Sequence, residues 1–184
     1  SNAGFGTTAA AVAFGGLDPS PARTAATETW DGSAWATSPN SLPAATANMG
    51  GFGISTAGVE CGGSQPPVSI TGVTNLWDGS SWTSGGAMVL ARASFVAGTG
   101  TQTDGLVSGG EIPANTATTE GYDGTTWSTR PSLGTARSQG GGLGPSSVST
   151  AGLFSGGYTS GESNATEEFT GETSAVNIET LTTS

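Results

Sequence analysis

Four glycine doublets, Gly15-Gly16, Gly62-Gly63, Gly109-Gly110 and Gly156-Gly157, follow one another at intervals of 47 residues. A period of that length marks a chain built by stacking one supersecondary unit, each unit needing its neighbours to bury an apolar face. Thirteen or fifteen residues after each doublet's first glycine stands an aromatic: Trp30, Trp77, Tyr122 and Phe169. The surrounding text repeats as well, as TETWDGSAW, TNLWDGSSW, TEGYDGTTW and TEEFTGETS. Trp35, Trp82 and Trp127 share a second aromatic slot, which alignment of the text gives to Ser174 in the last copy.

Each unit reads as four short strands. The first is glycine-rich, as at Ala93 to Gly98 or Gly140 to Gly144. The second is apolar and ends in the doublet, with Val12, Val59, Leu106 and Leu153 in one slot, expected to be buried between neighbouring sheets. The third rises through Thr-Glu to the aromatic. Asp31-Gly32, Asp78-Gly79 and Asp123-Gly124 then supply a tight hairpin turn, whose glycine accepts a positive φ. The fourth strand carries the second aromatic and ends near Pro39 or Pro131. No segment has a sustained helical period with caps. Four strands in a unit of about 45 residues describe a propeller blade. The expected fold is therefore all-β, a propeller of four 47-residue, four-stranded blades. Residues 1–3 read as a tag remnant and 4–184 as one domain, with repeats at about 4–46, 47–91, 92–137 and 138–184. Glycine and alanine in the inner strands suit the narrow axis of a closed four-bladed ring, which is expected ahead of a partial or dimer-completed one. The tail from Ser174 to Ser184 is a candidate to cap an edge, bridge to the first blade or pair with another chain.

An apolar strand ending in Gly-Gly, then Glu-x-Tyr-Asp, a tryptophan and a later arginine together resemble the kelch repeat. The third copy has nearly all of it in Gly109, Gly110, Glu120, Tyr122, Asp123, Trp127 and Arg137. The second has Asn75 in the glutamate slot, the first has Asn48 near the arginine position, and the fourth replaces Asp and Trp by Thr170 and Ser174. The glycine- and threonine-rich text is also similar to marine phage and metagenomic repeat proteins, including tail appendages. The kelch resemblance implies four-stranded propeller blades and brings galactose oxidase to mind. That enzyme's copper site uses histidine, and this chain has none, so its chemistry is excluded.

Ser-His-Asp and Cys-His nucleophiles fail for the same reason. With 4 arginines, no lysine and 14 acidic residues, the formal charge is −10, which repels nucleic acid and anionic membranes alike. No apolar run approaches the roughly 20 residues of a membrane span, and no signal peptide is read. Cys61 is alone and reads as a small packing residue rather than a reactive thiol. The turn aspartates stand singly, without the ladder of oxygens that calcium needs. Glu28, Glu120 and Glu167 recur once per blade and read as partners of local amides, hydroxyls or Arg92 and Arg137. The tryptophans read as packing between blades. No catalytic set, cofactor or metal is expected. The reading is a non-enzymatic binding or structural module, extracellular or virion-associated, meeting a protein or a glycan, with homo-oligomers through the chain ends possible in principle. Glu111 and Glu162, which follow the last two glycine doublets, are the candidate loop contacts. They also carry the alternative of a carbohydrate-active enzyme, since a glycosidase needs two carboxylates about 5–10 Å apart. A spacer cut from a longer array is the other alternative.

Overall fold

A computed structural model describes residues 2–67, 69–95, 97–143, 151–170 and 178–181. It is all-β among those residues, with four antiparallel sheets arranged as a four-bladed propeller. Blade 1 comprises β1 (Ala3–Gly6), β2 (Ala11–Phe14), β3 (Thr27–Trp30) and β4 (Trp35–Thr37). Blade 2 comprises β5 (Gly50–Ile54), β6 (Ala57–Cys61), β9 (Thr74–Trp77) and β10 (Trp82–Ser84). Its middle loop carries a small hairpin, β7 (Ser64–Gln65) and β8 (Ser69–Ile70). Blade 3 comprises β11 (Ala97–Thr101), β12 (Asp104–Ser108), β13 (Thr119–Tyr122) and β14 (Trp127–Arg130). Blade 4 comprises β15 (Gly141–Leu143), β16 (Gly152–Ser155), β17 (Thr166–Phe169) and β18 (Ile178–Leu181). β1 begins at Ala3, paired with Phe14, so the last of the three residues read as a tag remnant belongs to a blade.

Alternation along each strand gives every blade two faces. The leading face looks to the following blade and, in blade 1, holds Phe5, Val12, Phe14 and Thr27. The trailing face looks back and, in blade 2, holds Gly51, Gly58, Trp77 and Trp82. The seam between blades 1 and 2 is one cluster of Phe5, Val12, Phe14, Leu42, Met49 and Trp77, with Trp82 packed against it. Phe52, Val59 and Cys61 likewise meet Val107, Tyr122 and Trp127 between blades 2 and 3. Leu106 and Leu133 meet Phe154 and Phe169 between blades 3 and 4. Glycine on the trailing face is what lets a phenyl ring from the preceding blade lie flat on the sheet. A Cβ at Gly58 would meet the Phe5 ring, and one at Gly105 the Phe52 ring. Gly105→Ala is therefore expected to destabilise by about 1–3 kcal/mol through overpacking, read as a lowered urea midpoint. An unchanged midpoint would show that the ring moves aside freely.

Several sequence expectations change. The strand anticipated at Ala93 to Gly98 starts instead at Ala97, because Ser94 has φ 53° and Ala93 bridges across to Glu111. The strand anticipated at Gly140 to Gly144 is Gly141–Leu143, and Gly144 lies outside the described residues. The residue opposite Phe169 is Ile178, and Ser174, given the second aromatic slot by the text, lies outside the described residues. The tail contributes β18, the outer strand of blade 4. Val12, Val59 and Leu106 are buried as expected, whereas Leu153 is only half-buried.

That exception belongs to the last seam. Trp127 is 6% exposed where it packs on blade 2, while Trp35, its counterpart in blade 1, is 51% exposed. Gly4, Gly6, Glu28 and Thr37 on the same trailing face are exposed too. On blade 4, the leading-face residues Leu153, Ser155 and Thr166 are half-buried, and Glu168, the next residue but one along β17 after Thr166, is exposed. Among the described residues, three seams are sealed and the fourth leaves both faces in contact with solvent.

Candidate functional site

The glycine doublets are where the chain leaves the sheet. Their residues have φ between 60° and 109°, as at Gly15 (60°), Gly63 (91°) and Gly110 (109°), a region costly for residues with a Cβ. The second glycine donates to the linker entering the next blade: Gly16 N–H to Thr46 O, Gly63 N–H to Arg92 O, Gly110 N–H to Arg137 O, at 2.8 to 2.9 Å. These bonds equate Thr46, Arg92 and Arg137. The arginine position in the first linker is thus Thr46 rather than Asn48. Asn48 aligns with Ser94 and Gln139, all three at φ 53° to 58° just before an inner strand.

Asn48, Ser94 and Gln139 therefore recur around the propeller axis. Together with Asn2, Met49, Phe95, Glu111 and Gly140 they line a cavity of about 550 Å³ at one end. The loops after the doublets wall this end and tie to each other. Arg23 donates to Ser64 Oγ at 3.3 Å, and Asn115 Nδ2 to the carbonyls of Tyr158 and Thr159 at 2.8 Å. Glu111 Oε1 accepts from Ser138 Oγ at 2.9 Å and Gln139 Nε2 at 3.5 Å, fixing the carboxylate at the rim. Glu162 lies elsewhere, in a depression with Gly157, Tyr158 and Ser163; Gln139 borders both hollows. The two candidate loop carboxylates thus do not share one cavity. At the other end of the axis, Gly4, Gly6, Gly51, Gly53, Gly98, Gly100 and Gly142 narrow the space to about 200 Å³ with almost no side-chain chemistry. A ligand that needs hydrogen bonds finds them at the wider end.

The per-blade acids behave differently from one another. Glu120 is buried with Arg92, 2.6 Å from Nη1, and accepts from the amides of Val89 and Leu90. Arg92 also lies over the Phe95 ring, 5.3 Å from its centroid. Glu167 pairs with buried Arg137 and accepts from Gly134 N–H. Among the described residues Glu28 has neither an arginine nor a linker amide, and it is exposed. Blade 2 lacks both members of the pair, carrying Thr46 and Asn75, and buries Glu60 beside them instead. Asn75 Nδ2 donates to Glu60 Oε2 at 2.7 Å, leaving Glu60 Oε1 and Asn75 Oδ1 buried without partners. Burial drives the Glu60 pKa from 4.5 to about 8, against the opposing pull of the Asn75 bond. A proton on Glu60 adds a donor to a buried group that otherwise has two acceptor oxygens without one. Sequence reasoning passed over Glu60. Its slot is apolar or small in the other copies, as Ala13, Val107 and Phe154, and that contrast was the available signal.

Cys61 is fully buried against blade 3, and burial, reinforced by Glu60, pushes its thiol pKa well up, which suits packing rather than nucleophilic attack. The turn aspartates spend their oxygens locally. Asp78 Oδ1 accepts from the amides of Ser80 and Ser81 at 2.8 and 2.7 Å, and these bonds hold its pKa at about 2. Asp31 and Asp123 make the same turn. Trp30 and Trp77 clip the inner hairpin of their own blade through indole N–H bonds to Thr8 O and Ser55 O, both 2.9 Å. Trp77, Trp82 and Trp127 pack into the preceding blade, so the between-blade packing expected of the tryptophans holds for these three and not for Trp30 and Trp35, which share the uncovered face of blade 1. No protein-family model and no curated protein matches this chain.

Proposed function

We propose that this chain is a kelch-like propeller serving as a non-enzymatic binding module, and that its ligand enters the wider axial end. The observation that carries the reading is the convergence of Asn48, Ser94, Gln139 and Glu111, with Phe95, on one cavity built by repetition of a single linker position. Amide and hydroxyl groups beside one carboxylate and an aromatic edge suit a neutral, hydroxyl-rich ligand such as a glycan chain. The formal charge of −10 disfavours anionic ligands. An extracellular or virion-borne setting fits the resemblance to phage appendages and is part of the proposal.

A glycan array probed with the intact chain and with Gln139→Ala and Glu111→Gln tests it. Binding to neutral glycans, weakened about tenfold or more by either substitution as buried polar contacts are lost, is the expected outcome. Binding indifferent to both substitutions would move the site elsewhere. Hydrolysis of chromogenic glycosides that disappears in Glu111→Gln would replace the binding module with a glycosidase.

A further inference from the structure

We propose that the uncovered trailing face of blade 1 docks the leading face of blade 4 from a second copy of this chain, with Trp35 as the anchor. The argument comes from the seams the chain already makes. Each sealed seam joins a trailing face to a leading face, and the chain has one of each left over among the described residues.

Their polar groups match as well. Trp82 Nε1 donates to Thr27 Oγ1 of the preceding blade at 3.0 Å, and Trp127 Nε1 donates to Thr74 Oγ1 at 2.9 Å. Thr27, Thr74, Thr119 and Thr166 hold the same place on successive leading faces. Thr119, with no tryptophan opposite Phe169 in the following blade, shares a hydrogen bond with Ser108 at 2.9 Å instead. Thr166 Oγ1 and the Trp35 indole N–H bond to no described residue, and the Trp35 ring packs on the Trp30 ring of its own blade, 5.6 Å between centroids. One unused indole donor and one unused threonine acceptor thus lie on the two open faces. They correspond to the pair that stitches the first two seams.

A second copy is favoured over the chain's own fourth blade, because all four inner strands already border the narrow axial cavity while Trp35 stays 51% exposed and Leu153, Ser155 and Thr166 are only half-buried. A trailing face meeting a leading face is a heterologous contact, so association proceeds head to tail. Two features keep it weak. Copies of charge −10 repel one another, and Glu28 enters the seam without the arginine that Glu120 and Glu167 have. Salt screens the first of these, so association is expected to strengthen from 0.1 to 0.5 M salt.

Sedimentation or light scattering of the intact chain, from micromolar to several hundred micromolar, reads the outcome. The expected result is a mass that rises with concentration, and more so at high salt. Trp35→Ala and Thr166→Val should each weaken association by about tenfold or more. Acrylamide quenching should fall with concentration in the parent chain and stay constant in Trp35→Ala. Single-chain mass across the range overturns the proposal, whether the two faces stay open or close on each other. So does association that survives both substitutions. Trp35 is half in solvent, and Thr166→Val keeps side-chain shape, so Thr166→Val decides the matter if Trp35→Ala alters folding. Glycan binding at the axial end does not involve either residue, so this proposal and the binding reading fail separately.

Discussion

Replacing Glu120 with alanine is expected to cost the fold about 3–5 kcal/mol, the usual consequence of leaving one half of a buried ion pair behind. Arg92 would stay fully buried with its carboxylate gone, and the amides of Val89 and Leu90 would lose their acceptor. The protein itself supplies the compensated version. Blade 2 has threonine and asparagine at the two equivalent positions, Thr46 and Asn75. The pair Arg92→Thr with Glu120→Asn should therefore cost less than Glu120→Ala alone, since no uncompensated charge remains. Urea unfolding of the single and double variants at pH 7 makes the comparison. A single variant within about 1 kcal/mol of the parent, or a double variant worse than the single, would mean that the pair is not what holds the linker to blade 3.

The second large effect is a pH dependence traced to Glu60. In the unfolded chain its carboxyl ionises near 4.5, and in the fold only near about 8. Between those values the unfolded state has released a proton that the native state keeps. Stability therefore declines as pH rises, by about 1.4 kcal/mol per unit, and levels off above pH 8 after a loss of up to roughly 5 kcal/mol. Glu60→Gln removes the titration while retaining an oxygen that accepts from Asn75 Nδ2 and supplying N–H donors in place of the carboxyl proton. Parent and variant should have similar stability at pH 4, and the variant should be several kcal/mol more stable at pH 9. Denaturation across that range checks it by the difference between the two proteins, which cancels the other titrating groups. A constant difference would mean that Glu60 is ionised in the fold, or reached by water.

The periodic part of this architecture was legible because each blade must bury the same faces. The doublets, the Asp-Gly turns and the slots of Val12, Val59 and Leu106 repeat with the geometry that requires them. What escaped is what depends on a neighbour rather than on the unit. Leu153 has the residue type of a buried slot but lacks a blade against it. Trp35 has the sequence context of Trp82 and Trp127 and a different fate, since burial there is a property of the seam. Glu60 went unread because its burial comes from blade 1 packing on that face of blade 2, not from anything in its own strand. The axial cavity drew on linker residues such as Ser94 and Gln139, which no local pattern distinguishes from any other loop. Its acidic rim was partly readable, since Glu111 directly follows a doublet.

The bonds from Gly16, Gly63 and Gly110 to the carbonyl of the next linker have a consequence for how such chains change length. The clasp closes on main-chain atoms and takes threonine or arginine alike, as Thr46 and Arg92 show. A whole period can therefore be duplicated or excised by recombination without finding new side chains for the joint. Gain or loss of material in steps of 47 residues becomes the cheapest large mutation open to this protein, while an insertion of half a period would put a leading face where a trailing one belongs.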